Sequence, residues 1–194
     1  MIPVVILAAG MSTRFPGNKL LYSVRGKPLI TYTIESALDS NADEVVVVLG
    51  NRAEEIAKVI AKYDIILIFN PEYDKGMSYS VKRGVRAVYK WAEAVIIHPA
   101  DVAFVPPRVF NQVINEYRKT SYPIVVASYK GERGHPILFS RDLFNEILSI
   151  SEESFGLKAV TRKYKEKTLV VETGVKEVTV DIDTIDDLKK LGLM

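Results

Sequence analysis

Short β-branched runs alternate along the chain with amphipathic stretches of helical length, and that alternation admits few folds. Val4–Leu7, Glu44–Leu49, Ile65–Phe69, Ala94–Ile97 and Ile124–Ser128 are apolar on both faces, which predicts buried parallel strands. Pro28–Ser40, Ala53–Tyr63, Met77–Trp91 and Pro106–Lys119 carry apolar residues three and four apart, with Pro28 and Pro106 placed as helix starters. Strand, helix, strand repeated in this way predicts an α/β fold, a Rossmann-like doubly wound and mainly parallel sheet. Lys130–Gly134 separates two further strand-like runs as a hairpin turn does, which predicts a C-terminal antiparallel addition. No linker, repeat or low-complexity stretch divides the 194 residues, so residues 1–194 are read as a single domain.

Composition removes several function classes. Lys and Arg total 26 against 24 Asp and Glu, so no nucleic-acid partner is expected. The absence of cysteine rules out disulfides, thiolate catalysis and zinc–thiolate sites. No apolar run approaches the ~20 residues that span a bilayer, and Pro3–Leu7 is too short for a signal-peptide core; the expectation is a cytoplasmic protein without a membrane partner.

The loop after the first strand carries two glycines and two cations, Arg14 and Lys19, and little bulk. In a doubly wound sheet it lies at the carboxyl ends of the strands, where backbone N–H groups can wrap a phosphate. It matches neither G-x-G-x-x-G nor G-x-x-x-x-G-K-[ST]. Ala8 and Ala9 are small enough for a base to lie against the backbone, and Gly10 suits a sharp turn. Arg14 and Lys19 offer a fork and a point charge to a triphosphate. The alternative is a plain connecting loop whose cations are solvated.

Asp101 follows the fourth strand, which in a sheet that reverses order beside the first strand faces the same crevice. It can hold Mg²⁺ among phosphate oxygens or bond turn amides. In Glu177–Thr184, Val178, Val180 and Ile182 alternate with Thr179, Asp181 and Asp183, which puts both aspartates on one face of a strand. Asp183 or Thr184 can equally cap a helix over Ile185–Leu191. Ser78 and Ser80, in the first turn after Gly76, suit base or ribose contacts and suit helix capping. His135 begins a strand beside Arg133, and His98 ends the fourth strand as a structural residue.

Leu7-Ala8-Ala9-Gly10, Ser12, Arg14 and Lys19 closely resemble the signature L-A-A-G-x-S-x-R-x-x-x-x-K of nucleotidyltransferases that activate a phosphorylated small molecule with an NTP. The chain is most similar to the molybdenum-cofactor cytidylyltransferase group of the MobA/MocA-like family, through Gly76–Val85, Pro99–Val105, Gly134–Phe139 and Asp181–Leu188 as well. Pro16, Ala100 and Ala103 depart from the pattern. The resemblance implies the fold of nucleotide-diphospho-sugar transferases, with Leu7, Ala8, Ala9, Gly10, Arg14, Lys19, Gly76, Met77 and Ser80 on the nucleotide. It implies Arg14, Lys19 and Asp101 as catalytic residues, Asp101, Asp183 and Asp181 at a Mg²⁺, and His135 and Arg133 at the second substrate. The implied reaction joins CTP to molybdenum-loaded molybdopterin, releases pyrophosphate, and supplies an acceptor molybdoenzyme. A sister nucleotidyltransferase that uses GTP or acts on another phosphorylated metabolite, and a non-catalytic cofactor-delivery or nucleotide-binding protein of the same fold, are the alternatives.

Overall fold

The structure is a computed structural model that describes residues 1–193. Its centre is a seven-stranded sheet. Strand β1 (Val4–Ala8) lies between β4 (Val45–Leu49) and β6 (Ala94–Pro99), parallel to both. Outside β4 runs β5 (Ile66–Phe69), also parallel. On the other side of β6 come β8 (Glu132–Ser140), β7 (Ile124–Tyr129) and β9 (Thr168–Glu172), giving the order β5-β4-β1-β6-β8-β7-β9. A two-stranded hairpin, β2 (Ser23–Val24) with β3 (Lys27–Pro28), stands apart from the sheet.

The double-faced burial inferred for the central strands holds. Val4, Ile6, Val45 and Val47 face one core while Val5, Val46 and Val48 face another. The first core is covered by α1 (Leu29–Leu38), α2 (Ala53–Ile60) and α4 (Pro107–Thr120). The second is covered by α3 (Met77–Val88), α5 (Phe144–Leu148) and α6 (Leu157–Lys163). Gly84 lets α3 approach the sheet, because a Cβ there would stand 2.3 Å from a Val5 methyl. That contact outweighs the ~1 kcal/mol a mid-helix glycine costs.

Four expectations are corrected. The Ile124–Ser128 strand is buried, but it does not extend the parallel block: β8 inserts between β6 and β7, antiparallel to both. In the C-terminal addition, β9 pairs parallel with β7. The Ile65–Phe69 run forms the sheet's edge, with Ile66, Leu67 and Phe69 exposed to 40, 40 and 56%. The β7–β8 turn is tighter than the Lys130–Gly134 span suggests. Lys130 and Gly131 alone make it, at φ 50° and 80°, the pairing of positive angles that matches strand twist.

A third, smaller core gathers Phe15, Val24, Leu29, Ala103, Ile182 and Leu188. It packs the loop after β1, the turn after β6 and the C-terminal helix α7 (Ile185–Lys190) together. This cluster brings the charged residues of those segments into one place.

Candidate active site

A cleft of about 400 Å³ opens over the carboxyl ends of β1 and β6. Leu7, Ala9, Gly10, Arg14 and Lys19 line one wall, and Gly76, Met77 and Ser80 from the start of α3 line another. Ala8 is the exception among the residues inferred for the nucleotide. Its side chain is 1% exposed and belongs to the first core, since alternation along β1 turns it away from the cleft. The sharp turn inferred for Gly10 falls instead at Ser12, whose φ is 54°. A Cβ at Gly10 would meet nothing within 4 Å. Buried Phe15 ties the loop down, and Asn18 then caps a 3-10 turn over Lys19–Leu21 by accepting from Leu20 N at 2.9 Å.

Asp101 stands in the turn after β6, where Ala100 N donates to Leu7 O at 3.0 Å and Thr33 Oγ1 donates to Ala100 O at 2.9 Å. Asp183 comes from the far end of the chain, held by its neighbour: Ile182 buries its side chain in the third core and donates its N–H to Asp101 O at 3.0 Å. The cap belongs to Thr184, which forms a reciprocal capping box with Asp187 and leaves the Asp183 carboxylate free of that duty. Lys19 Nζ donates to Asp101 Oδ2 at 2.6 Å and to Asp183 Oδ1 at 2.9 Å, while Arg14 Nη2 pairs with Asp183 Oδ2 at 2.7 Å. Burial works to lower the Lys19 pKa, but Asp101 and Asp183 outweigh it and hold the ammonium above its ordinary value.

Two hard carboxylates that converge on one cationic atom also fit a divalent cation. Mg²⁺ takes one or two carboxylates and fills its remaining positions with substrate oxygens and water. No group of three or more acidic, histidine or cysteine side chains is gathered for a metal among the described residues. The expected strand that would carry Asp181 into the set is absent: Lys176–Thr179 is a 3-10 turn followed by extended chain. Gly134 permits that turn to press on β8, because a Cβ there would stand 2.0 Å from Val178 O. Asp181 lines the cleft beyond the pair.

Two residues of the same cleft, Tyr73 and Asp74, and one buried behind it, Asn70, escaped the sequence reading. Fully buried Asn70 donates from Nδ2 to Ser80 Oγ at 3.0 Å and accepts from Glu72 N at 3.1 Å, which fixes the approach to α3. Tyr73 and Asp74 line the cleft as well. Gly50 allows Tyr73 and Ala9 to close in, since a Cβ at Gly50 would lie 2.4 Å from Tyr73 Cβ and 2.8 Å from Ala9 Cβ. The Asn-Pro dipeptide at 70–71, a turn signal, is the one hint the sequence carried. Ser78, by contrast, is 2% exposed and does not line the cleft.

A second cleft of about 510 Å³ adjoins the first and shares Met77, Pro99, Asp101 and Asp181 with it. Arg133 and His135 line it, as do Lys158 and Thr161 of α6, over an apolar floor that includes Val126 and Ile137. Burial holds the His135 imidazole below its ordinary pKa against the pull of Asp101 and Asp181. His98 is fully buried behind it, with ring centroids 6.2 Å apart. Its Nε2 lies 2.9 Å from Val102 O and donates to it, and burial pushes its pKa down to about 3.

The chain is similar in sequence to curated proteins and in fold to solved structures. A probable molybdenum cofactor guanylyltransferase of Thermococcus sibiricus is 26% identical over 193 residues, 96% of this chain and 95% of that protein. The bifunctional protein GlmU of Thermodesulfovibrio yellowstonii is 25% identical over 84% of this chain, which spans only 39% of GlmU. Among solved structures, Rv0371c of Mycobacterium tuberculosis H37Rv superposes with a TM-score of 0.85 at 23% identity, covering 98% of this chain and 96% of that one. A manganese complex of Rv0371c matches at 0.78 and 25% identity, covering 98 and 97%. The model of the MobA-like NTP transferase domain matches residues 4–168, and the chain is a nucleotidyltransferase belonging to that family.

Proposed function

We propose that the chain, acting as one nucleotidyltransferase domain, transfers a nucleotidyl group from an NTP to the phosphate of molybdenum-loaded molybdopterin and releases pyrophosphate. The observation that carries this reading is the junction of the two clefts at Asp101 and Asp181, beside the Lys19-bridged carboxylates. A nucleotide in the first cleft and a phosphorylated ring on the apolar floor of the second would meet there. The relatives named as molybdenum cofactor guanylyltransferases support the acceptor.

No protein nucleophile is required. A phosphate monoester is largely ionised at pH 7, its second pKa being ~6. Its oxygen attacks the α-phosphorus, that new P–O bond replaces the bond to the bridging oxygen, and pyrophosphate departs with the electron pair. The chain's contribution is position and charge. Lys19 and Arg14 turn from the carboxylates to the triphosphate, and Asp101 and Asp183 are left to hold Mg²⁺. The metal, when bound, neutralises charge developing on the phosphoryl oxygens. A carrier that only bound the cofactor would not need this pair of carboxylates with its lysine.

CTP is the donor favoured by the Ala8-Ala9 pair of the cytidylyltransferase signature, and Ala9 alone of the two reaches the cleft. GTP is the second reading, favoured by the relatives' names and by Asp74, whose carboxylate can accept from the two N–H groups on the guanine edge. Pyrophosphate release, measured with each NTP with and without purified molybdopterin, tests both. Release that needs molybdopterin and CTP supports the cytidylyl assignment. A preference for GTP moves the assignment to guanylyl transfer, and no molybdopterin-dependent release with any NTP rejects the acceptor. In the competition between CTP and GTP, Ala9→Gly should narrow a CTP preference and Asp74→Asn should weaken a GTP preference. One methyl discriminates by only ~1–3 kcal/mol.

A further inference from the structure

Helix α3 opens with Gly76, which has no side chain with which to cap it. The missing acceptor arrives from 74 residues away, where Glu152 Oε1 accepts from Ser78 N at 2.6 Å. The Glu152 side chain also fills the space in front of Gly76: a Cβ there would stand 2.5 Å from Glu152 Cδ, and Gly76 sits at φ 115°, where L side chains are strained. One carboxylate therefore pins the residues on both sides of Met77, and Met77 lines both clefts.

The segment that delivers Glu152 is itself braced. Lys82 Nζ, on α3, donates to Ile150 O at 3.1 Å, and Gly156 N closes the loop by donating to Ser151 O at 2.8 Å. Phe155 holds φ 66° although it is bulky and 67% exposed, a conformation that persists only where the surroundings impose it. Immediately beyond, α6 presents Leu157, Lys158 and Thr161 to the second cleft. Residues 151–156 thus form a strap from the wall of one cleft to the wall of the other.

We infer that Glu152 is a positioning residue for nucleotidyl transfer, fixing the first turn of α3 so that Gly76, Met77 and Ser80 hold the nucleotide in register with the second cleft. This rests on the reading that the first cleft takes the nucleotide. Glu152 lines neither cleft and contacts no reacting atom, so its removal should weaken nucleotide binding and spare the chemical step.

The experiment is calorimetric titration of CTP and GTP, with Mg²⁺, into wild type, Glu152→Ala, Glu152→Gln and Asp43→Ala, with pyrophosphate release measured alongside. Asp43 accepts from Ile2 N at 2.6 Å at the opposite end of the sheet and controls for a lost backbone anchor. Glu152→Ala should raise the nucleotide Kd and KM about tenfold, one hydrogen bond's worth, with kcat within about threefold. Glu152→Gln, which keeps the acceptor oxygen, should recover most of that loss, and Asp43→Ala should leave Kd unchanged. Binding to wild type that Glu152→Ala does not weaken, or a Gln variant no better than Ala, overturns the assignment of Glu152 alone. A wild type that binds no nucleotide overturns the nucleotide reading of the cleft and this assignment with it.

Discussion

Replacing Lys19 by methionine keeps the bulk of the side chain and removes its charge. Lys19 is 12% exposed, and the Asp101 and Asp183 side chains that it bridges are 24 and 23% exposed. Hydrogen bonds to charged groups contribute ~1.5–3 kcal/mol each, but both carboxylates keep access to water and Arg14 still pairs with Asp183. The net loss in the metal-free protein should be about 2–3 kcal/mol, or ~5–10 °C in Tm for a chain of this size. Mn²⁺ or Mg²⁺ should recover much of it, since a divalent cation at 100 times its Kd adds about 2.7 kcal/mol. Wild type, whose carboxylates already hold a cation, should respond less. Turnover should fall ~10²–10³-fold, the scale for losing one aligned electrostatic donor, and more than nucleotide affinity does. The raised Lys19 pKa sets the pH window. Its stabilisation is fully present below the unfolded lysine value of about 10.4 and is lost only as pH rises through the higher folded value, so the Tm difference should be flat from about pH 6 to 9. Equal Tm without metal, an equal metal response, or a pure KM defect would refute the reasoning.

Asp101→Asn and Asp183→Asn should each cut turnover by at least about a hundredfold under saturating Mg²⁺ while circular dichroism stays native; near-normal turnover in either strikes that residue from the ligand pair. Phe15→Ala should cost ~3–5 kcal/mol in urea unfolding and should lower turnover as well, because the third core anchors the loop. A loss under about 1 kcal/mol would mean that the loop is held by other contacts. The His98 pKa is lowered to about 3, so its stabilisation is complete above about pH 6.5 and is lost as pH falls toward 3. Unfolding free energy should drop by up to ~1.4 kcal/mol per pH unit in that window, and a slope unchanged in His98→Gln would reject His98 as its source.

The parallel core was legible because burial on both faces leaves an uninterrupted apolar run, and Asp101 was legible because strand reversal beside β1 brings its turn over the same crevice. The insertion of β8 was not legible: strand order depends on which edge is free when the hairpin docks, and no local pattern records that. The run in β5 looked buried because apolar content reports only what a strand could bury, while its edge position leaves Leu67 and Phe69 in solvent. The alternation at 178–183 gave the right inward residues, Val178 and Ile182, for the wrong element. Asn70 and Glu152 were lost for a different reason. Each is a single polar residue whose role is defined by its partner, and the partner of Glu152 lies 74 residues away.

Ile182 shows why such a site can be held firmly and still exchange its cations. Asp101 and Asp183 are 82 residues apart in sequence, and their charges could not keep the C-terminal segment in place. The Lys19 bridge contributes about 2–3 kcal/mol but is given up whenever Lys19 turns to a substrate, and the exposed Arg14 pair adds only ~0–1 kcal/mol, which salt screens. Burying Ile182 and Leu188, each fully enclosed, contributes ~1.5–3 kcal/mol apiece without regard to charge, and the Ile182 N–H bond to Asp101 O sets the spacing directly. The apolar cluster thus carries the assembly, and the carboxylates are free to change partners. Lys19 and Arg14 can leave them for a triphosphate, and a divalent cation can take their place, without the third core coming apart. Had the segment been docked by the ion pairs alone, substrate arrival would undo the contacts that build the site.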